Sequence, residues 1–161
     1  MKTVWKSFKY PTQYKYMSIL KYYEAELDFI PKILEYNKEG YRYEWIDGIS
    51  IREAVDTDTL KLNQKMIFEM KMAMDDIWKK LYKVSIDMDG HLILKILYSN
   101  QFLWHGDQHL GNTIWRDDSK ELILIDIDSF VILPYIPLSY LNNVFIQQLE
   151  NYMHIFKRGE E

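Results

Sequence analysis

Cysteine is absent from the 161-residue chain, which excludes disulfide scaffolds and thiolate-bound zinc. No apolar run approaches the ~20 residues that a membrane span requires. The opening MKTVWKSFKYPTQYKY has a basic start but no continuous apolar core, a poor match to a signal peptide. Positive charge is in deficit, with 20 Lys and Arg against 24 Asp and Glu, and this argues against a general nucleic-acid surface. Lysine and aromatic residues are dense near the amino terminus and could stack on bases, but a protein-facing surface suits an acidic chain better. A soluble, cytosolic domain without repeats or low-complexity segments is the expectation. Apolar residues make up 48% of the chain and aromatics 16%, so disorder is not the default and one core, or two small lobes sharing an interface, can form.

Residues 3–9 alternate as a strand does, with Val4, Lys6 and Phe8 on one face. Residues 14–27 read as a helix through Met17, Leu20, Tyr23 and Leu27, stopped by Ile30-Pro31. Residues 32–36 and 41–46, joined by a turn at 37–40, read as a hairpin. Beyond Ser50 the pattern turns helical: Asp58 or Thr59 is a candidate cap for a helix carrying Leu62, Met66, Met70, Met74, Ile77, Trp78 and Leu81. Its methionine stripe reads as core packing. In VSIDMDGHLIL, residues 84–94, Asp87, Asp89 and Gly90 resemble the start of a calcium loop but lack its closing Glu, so a turn is expected. The segment 92–98 is ambiguous between strand and helix. Pro134 and Pro137 break the chain before a last helix capped by Ser139 and a frayed tail at 159–161.

The chemistry concentrates between Trp104 and Phe130. The run WHGDQHLGNTIW places Asp107, His109 and Asn112 in a segment too punctuated by glycine for a regular helix. In ELILIDIDSF, Asp126 and Asp128 interrupt an apolar strand. Carboxylates are costly to bury, so acids at a strand end usually face a cation or substrate. Two Asp and an Asn are hard oxygen ligands, suited to Mg²⁺ rather than zinc. Phosphoryl transfer needs one carboxylate near the attacking hydroxyl and separate oxygen ligands for the metal, and this spacing offers both. The competing H-x-D-x-H metal-hydrolase reading of His105, Asp107 and His109 is weakened because His91 and His154 lie far away in sequence.

HGDQHLGN followed by LILIDIDSF resembles the paired motifs of the aminoglycoside phosphotransferase, choline kinase and lipopolysaccharide-core kinase families, relatives of the protein kinases. The resemblance implies an α+β, minimal two-lobed kinase-like fold: a reduced β N-lobe over residues 1–47, and a helical C-lobe over 48–161 with a catalytic loop at 104–113 and a metal-binding loop at 125–130. It implies ATP and Mg²⁺ as cofactors. Asp107 would orient or deprotonate the acceptor hydroxyl, Asn112 and Asp126 would bind the metal, and Asp128 would orient the loop or a metal-bound water. His105 and His109 would support the loop, and Lys6 would contact the nucleotide phosphates. Backbone groups around Glu44, Trp45 and Ile46, in YRYEWIDG, would hold the adenine. Two departures stand out: the strands and glycine-rich loop expected before Thr3 have no counterpart, and the first helix lacks an early acid to pair with Lys6, with Gln13 near that place.

The expected function is ATP- and Mg²⁺-dependent phosphoryl transfer to a hydroxyl of a small molecule or protein; for so reduced an N-lobe, either a protein partner completes the site, or turnover is slow, or the fold has been reused. The rival is a kinase-like binding module that docks on a partner. Transfer of an adenylyl group on the same fold is a third reading.

Overall fold

The computed structural model describes residues 1–89, 101–134 and 144–151. In chain order it contains β1 (Thr3–Ser7), α1 (Thr12–Tyr22), β2 (Ile33–Tyr36), β3 (Gly40–Glu44), α2 (Ile51–Asp56) and α3 (Gln64–Asp89). Strands β4 (Gln101–His105), β5 (Thr113–Arg116), β6 (Glu121–Leu124) and β7 (Phe130–Pro134) follow, with short 3-10 turns at Leu110–Asn112 and Ile127–Ser129. Residues 144–151 are helical, with Phe145 and Leu149 buried. The Ser139 cap, Pro137, segment 92–98, and the 159–161 tail lie outside the described residues.

The first three strands form an antiparallel sheet in the order β1-β3-β2. Its register sets Lys6 opposite Tyr41 and Val4 opposite Tyr43, so the inward residues of β1 share a face with the aromatic face of β3. Trp5 and Ser7 point to solvent, as the alternation requires. Helix α1 is shorter than its pattern suggested: Tyr23 already leaves helical geometry, and residues 23–26 form turns that still bury Leu27.

Helix α3 is the longest element. Met70, Met74, Ile77, Trp78, Leu81, Val84 and Met88 are buried along it, while Phe68, Met72 and Ile86 are exposed, the one-sided burial expected of a core-facing helix. Two expectations fail here. Asp58 adopts a left-handed backbone (φ 57°), and the cap is Asn63, whose side chain accepts from the Met66 amide at 2.8 Å. The turn expected within 84–94 does not occupy 84–89, where the helix continues through Asp89, and residues 90–94 lie outside the described residues. Tyr23 donates to Asp87 at 2.7 Å, so this carboxylate serves packing between helices rather than a calcium loop.

The last four strands decide the geometry of the site. β4 pairs with β7 and β5 with β6, both antiparallel. The connection from β4 to β5 and that from β6 to β7 therefore lie between the same two ladders. One ladder ends at the His105–Phe130 pair and the other at Thr113–Leu124. Two backbone bonds cross the gap, Gly106 N–H to Ser129 O at 2.7 Å and Ile125 N–H to Asn112 O at 3.0 Å. One buried cluster runs from Met17, Ile33 and Tyr41 through α3 to Leu103, Leu124 and Phe130, so both loops rest on a shared core.

Candidate active site

The catalytic-type loop, residues 106–112, is fixed through its backbone. His105 is buried, its ring edge-on to Phe130 at 5.1 Å. Its Nε2 lies 2.7 Å from the Ile125 carbonyl and its Nδ1 accepts from the Asp107 amide at 3.3 Å. Those bonds require a neutral ring protonated on Nε2. Burial agrees, lowering the His105 pKa despite the opposing carbonyl bond. His109 caps the following turn, its Nδ1 accepting from the Gly111 amide at 2.9 Å. Asn112 Nδ2 donates to the Asp107 carbonyl at 2.8 Å, a bond that does not use its Oδ1. Asp107 is thus held by its own N–H and C=O, while its carboxylate is 62% exposed.

Two glycines make this compactness possible. A Cβ on Gly106 would stand 2.8 Å from the Ser129 carbonyl, and one on Gly111 would stand 2.7 Å from the His109 ring. Neither position has room for a side chain.

The metal-type loop, residues 125–129, is fixed through its carboxylates. Asp126 adopts a left-handed backbone (φ 61°), and its side chain accepts from Ser129 Oγ at 3.0 Å and from Lys6 Nζ. The same ammonium donates to Asp128 Oδ1 at 2.8 Å. Asp128 is only 5% exposed, and Tyr41 donates to the same oxygen at 3.2 Å. Gln13 Nε2 reaches the Asp128 carbonyl at 3.0 Å, while its Oε1 accepts from the Lys9 and Tyr10 amides at 2.7 and 3.1 Å. Burial works to raise the Asp126 pKa, but the bonds led by Lys6 prevail and hold it at about 2. Burial likewise opposes the charge on Lys6, yet its two carboxylate bonds raise its pKa. Burial, then the charge of Asp128, pushes the Tyr41 phenol far up, so it stays a donor.

Beside these loops opens a cleft of about 650 Å³. Lys6, Asn112 and Asp126 line it together, and Trp45, Ile46, Ile114 and Ile125 supply apolar wall. Asp107, His105 and His109 lie outside its lining, as does Asp128, whose expected metal-side role is at odds with a buried carboxylate already bonded to Lys6 and Tyr41. Two of the backbone groups expected around the adenine are already bonded within the fold. The Glu44 amide donates to the Lys32 carbonyl and the Trp45 amide to the Lys2 carbonyl, each at 2.9 Å, so neither N–H is free for a base. Glu44 is not on the cleft wall, whereas Trp45 and Ile46 are.

Tyr41 escaped the sequence reading, and Gln13 was noted there only for its position. Tyr41 was signalled only by its cross-strand register with Lys6, which a single sequence does not display. Gln13 stands near the place where an acid was expected, and it bonds to the Asp128 backbone instead of to Lys6.

No family model and no curated protein matches the sequence. Among solved structures, the chain is similar to aminoglycoside phosphotransferase APH(2")-IIa in its ternary complex with streptomycin and ATP, with a TM-score of 0.53 and 16% identity over 81% of this chain. It spans 60% of the length of that protein. A likeness to Rv3197 of Mycobacterium tuberculosis in complex with erythromycin covers 74% of this chain and 26% of that one at 19% identity, and its TM-score of 0.41 is too low to carry an argument. Among the described residues, no helix is long and apolar enough to cross a membrane. The likeness to that solved structure gives this chain an α+β, protein-kinase-like fold similar to that of the aminoglycoside phosphotransferase.

Proposed function

We propose that this chain is an ATP- and Mg²⁺-dependent phosphotransferase acting on a hydroxyl acceptor, with residues 1–47 as the nucleotide-side lobe and 48–161 carrying the loops. The carrying observation is the convergence of Lys6, Asn112 and Asp126 on one cleft of about 650 Å³. A cation, a neutral oxygen ligand and an acid kept ionised by a pKa of about 2 suit a triphosphate with its metal. Trp45, Ile46, Ile114 and Ile125 offer the base an apolar slot.

The metal fits in a limited way. Among the described residues, no group of three or more acids or histidines forms a ready-made cage. Nucleotide-borne Mg²⁺ needs only one or two protein carboxylates, the phosphates and water supplying the rest. Asn112 and Asp126 would hold it, and when bound it would neutralise charge building on the phosphate oxygens. Lys6 would then leave Asp126 for the phosphates. Asp107, outside the cleft and open to solvent, is placed to meet an acceptor from bulk water; its carboxylate would take the hydroxyl proton while its backbone stays fixed.

One observation favours the rival reading, a kinase-like module that binds without turnover: Lys6 already occupies Asp126. Thermal melting with ATP, with and without Mg²⁺, separates the two. A metal-dependent rise in Tm that Asp126→Ala abolishes supports the enzyme. No shift at millimolar ATP overturns nucleotide use by this chain and favours the binding module.

A further inference from the structure

We propose that Asp128 is a positioning residue: the buried counter-ion that anchors Lys6 in the cleft, taking the place of the helix acid this chain lacks and freeing Asp126 to serve the metal. The inference deepens the phosphotransferase reading and rests on it for its catalytic meaning, though not for its geometry.

Lys6 holds two carboxylates, and they are not equivalent. Asp126 is 29% exposed, lines the cleft, and has the side chains of Asp128 and Ser129 beside it as well as Lys6. Asp128 is 5% exposed and lies off the cleft. Its Oδ1 is shared by Lys6 and the fully buried Tyr41 hydroxyl, and its backbone is tied by Gln13 to the turn between β1 and α1. A buried carboxylate cannot easily trade its cation for water, because losing a partner leaves an uncompensated charge in a poor solvent. A half-exposed one can. If Lys6 must give up one acid when a metal arrives, it gives up Asp126 and keeps Asp128. The ammonium then pivots at the cleft wall instead of being released.

The arrangement also explains why α1 needs no early acid. In the first turn of α1, the side chain at position 13 is a neutral amide that closes the Lys9-Tyr10 turn and grips the Asp128 carbonyl at once. The negative charge for Lys6 comes from the opposite side, from the 127–129 turn. Tyr41, facing Lys6 across the ladder, holds that charge in place.

The test reads Lys6 itself. Acylation by an amine-reactive ester, followed residue by residue by mass spectrometry on the intact chain, measures how firmly its ammonium is held. Lys21 is the internal control: it is 35% exposed against 34% for Lys6 and is bonded to Glu24 and the Ile33 carbonyl. Asp128→Asn is expected to raise Lys6 labelling about three- to five-fold, the upper end for a partly exposed ion pair, with Lys21 unchanged. Asp126→Ala is expected to leave Lys6 within a factor of about two of wild type. Tyr41→Phe, which keeps the ring and the packing, should move Lys6 in the same direction as Asp128→Asn by less. It carries the test if Asp128→Asn does not fold. Any other ranking of Asp128 and Asp126 overturns the proposal. So does parallel exposure of Lys21, which would mean general loosening.

A second arm follows ATP binding as Mg²⁺ is varied. In Asp128→Asn the ammonium has only Asp126, so more Mg²⁺ is needed at half-saturation; adding Lys6→Met should return the midpoint toward wild type. Loss of metal dependence in Asp128→Asn that Lys6→Met does not restore would make Asp128 a metal ligand and overturn the inference. If the wild type binds no ATP at all, the phosphotransferase reading fails, while the labelling still decides the role of Asp128.

Discussion

The two loops are neighbours held between the same pair of ladders, yet they are built on opposite plans. The 106–112 loop spends its backbone on structure and leaves the Asp107 carboxylate 62% exposed. The 125–129 loop spends its carboxylates on structure, burying Asp128 and sharing Lys6 between two acids. A group that meets a varying acceptor must be free to approach it while its anchor stays rigid. A group that faces a fixed cation gains from being immobilised with that cation, because a preorganised charge needs no reorganisation at the moment of reaction. The contrast puts three aspartates close in sequence into environments that are not interchangeable.

The largest effect should come from the exposed carboxylate of Asp107. Asp107→Ala is expected to lower ATP turnover about 10²- to 10⁴-fold, the range for losing a positioned base. Its Tm should stay close to wild type, since exposed substitutions usually stay within about 0.5 kcal/mol. Steady-state phosphate release and a melting curve check both halves. Normal turnover would remove Asp107 from the chemistry.

Next in size is the contact that locks the loops together. Gly106→Ala sets a Cβ 2.8 Å from the Ser129 carbonyl and 3.1 Å from Val131, and neither a strand backbone nor a β-branched side chain yields cheaply. Overpacking of this kind costs about 1–3 kcal/mol, read as a lower denaturant midpoint. An unchanged midpoint would mean that the loops separate freely.

How much of this was legible beforehand follows the distance over which each signal acts. The strand β1, the hairpin β2–β3 and the buried face of α3 were readable because periodicity is local, and the motif residues were readable because their spacing is short. The α3 cap was misplaced because Asp58 and Thr59 have the right chemistry but the chain needs another turn before the helix can start; Asn63 is the residue that meets it. The Glu44 and Trp45 amides looked available because their partners, Lys32 and Lys2, are remote in sequence. The pairing of Lys6 with residues 120 and 122 positions away has no local signature at all.

Acid should act on the second loop through the cleft-lining carboxylate of Asp126. The Asp126 pKa lies at about 2 against an ordinary 3.8, so its native state binds fewer protons than the unfolded chain. Its contribution to stability is complete above the ordinary value and is lost as pH falls from about 4 through about 2. Asp126→Asn should therefore be less stable than wild type at neutral pH and should converge with it as pH falls through that window. Paired urea titrations at stepped pH read the gap. A gap that stays constant with pH would mean that the Lys6 bond adds no stability.

The smallest predicted effect separates the loops most cleanly. Ser50 caps α2, its Oγ accepting the Glu53 amide at 3.1 Å, and α2 packs against the Leu110–Asn112 turn. Losing such a cap costs about 1 kcal/mol. Ser50→Ala should therefore loosen the support of the 106–112 loop without touching Lys6, Asp126 or Asp128. Amide exchange at Gly111 and Asn112 should quicken, because their N–H groups bond within that turn, to His109 Nδ1 and to the His109 carbonyl. Exchange at Ser129, bonded to the Asp126 carbonyl at 3.0 Å, should stay as in wild type. If Ser129 quickens equally, the two ladders transmit the disturbance and the loops form one mechanical unit. If only the first loop responds, the facing loops are independently supported despite the two backbone bonds that join them.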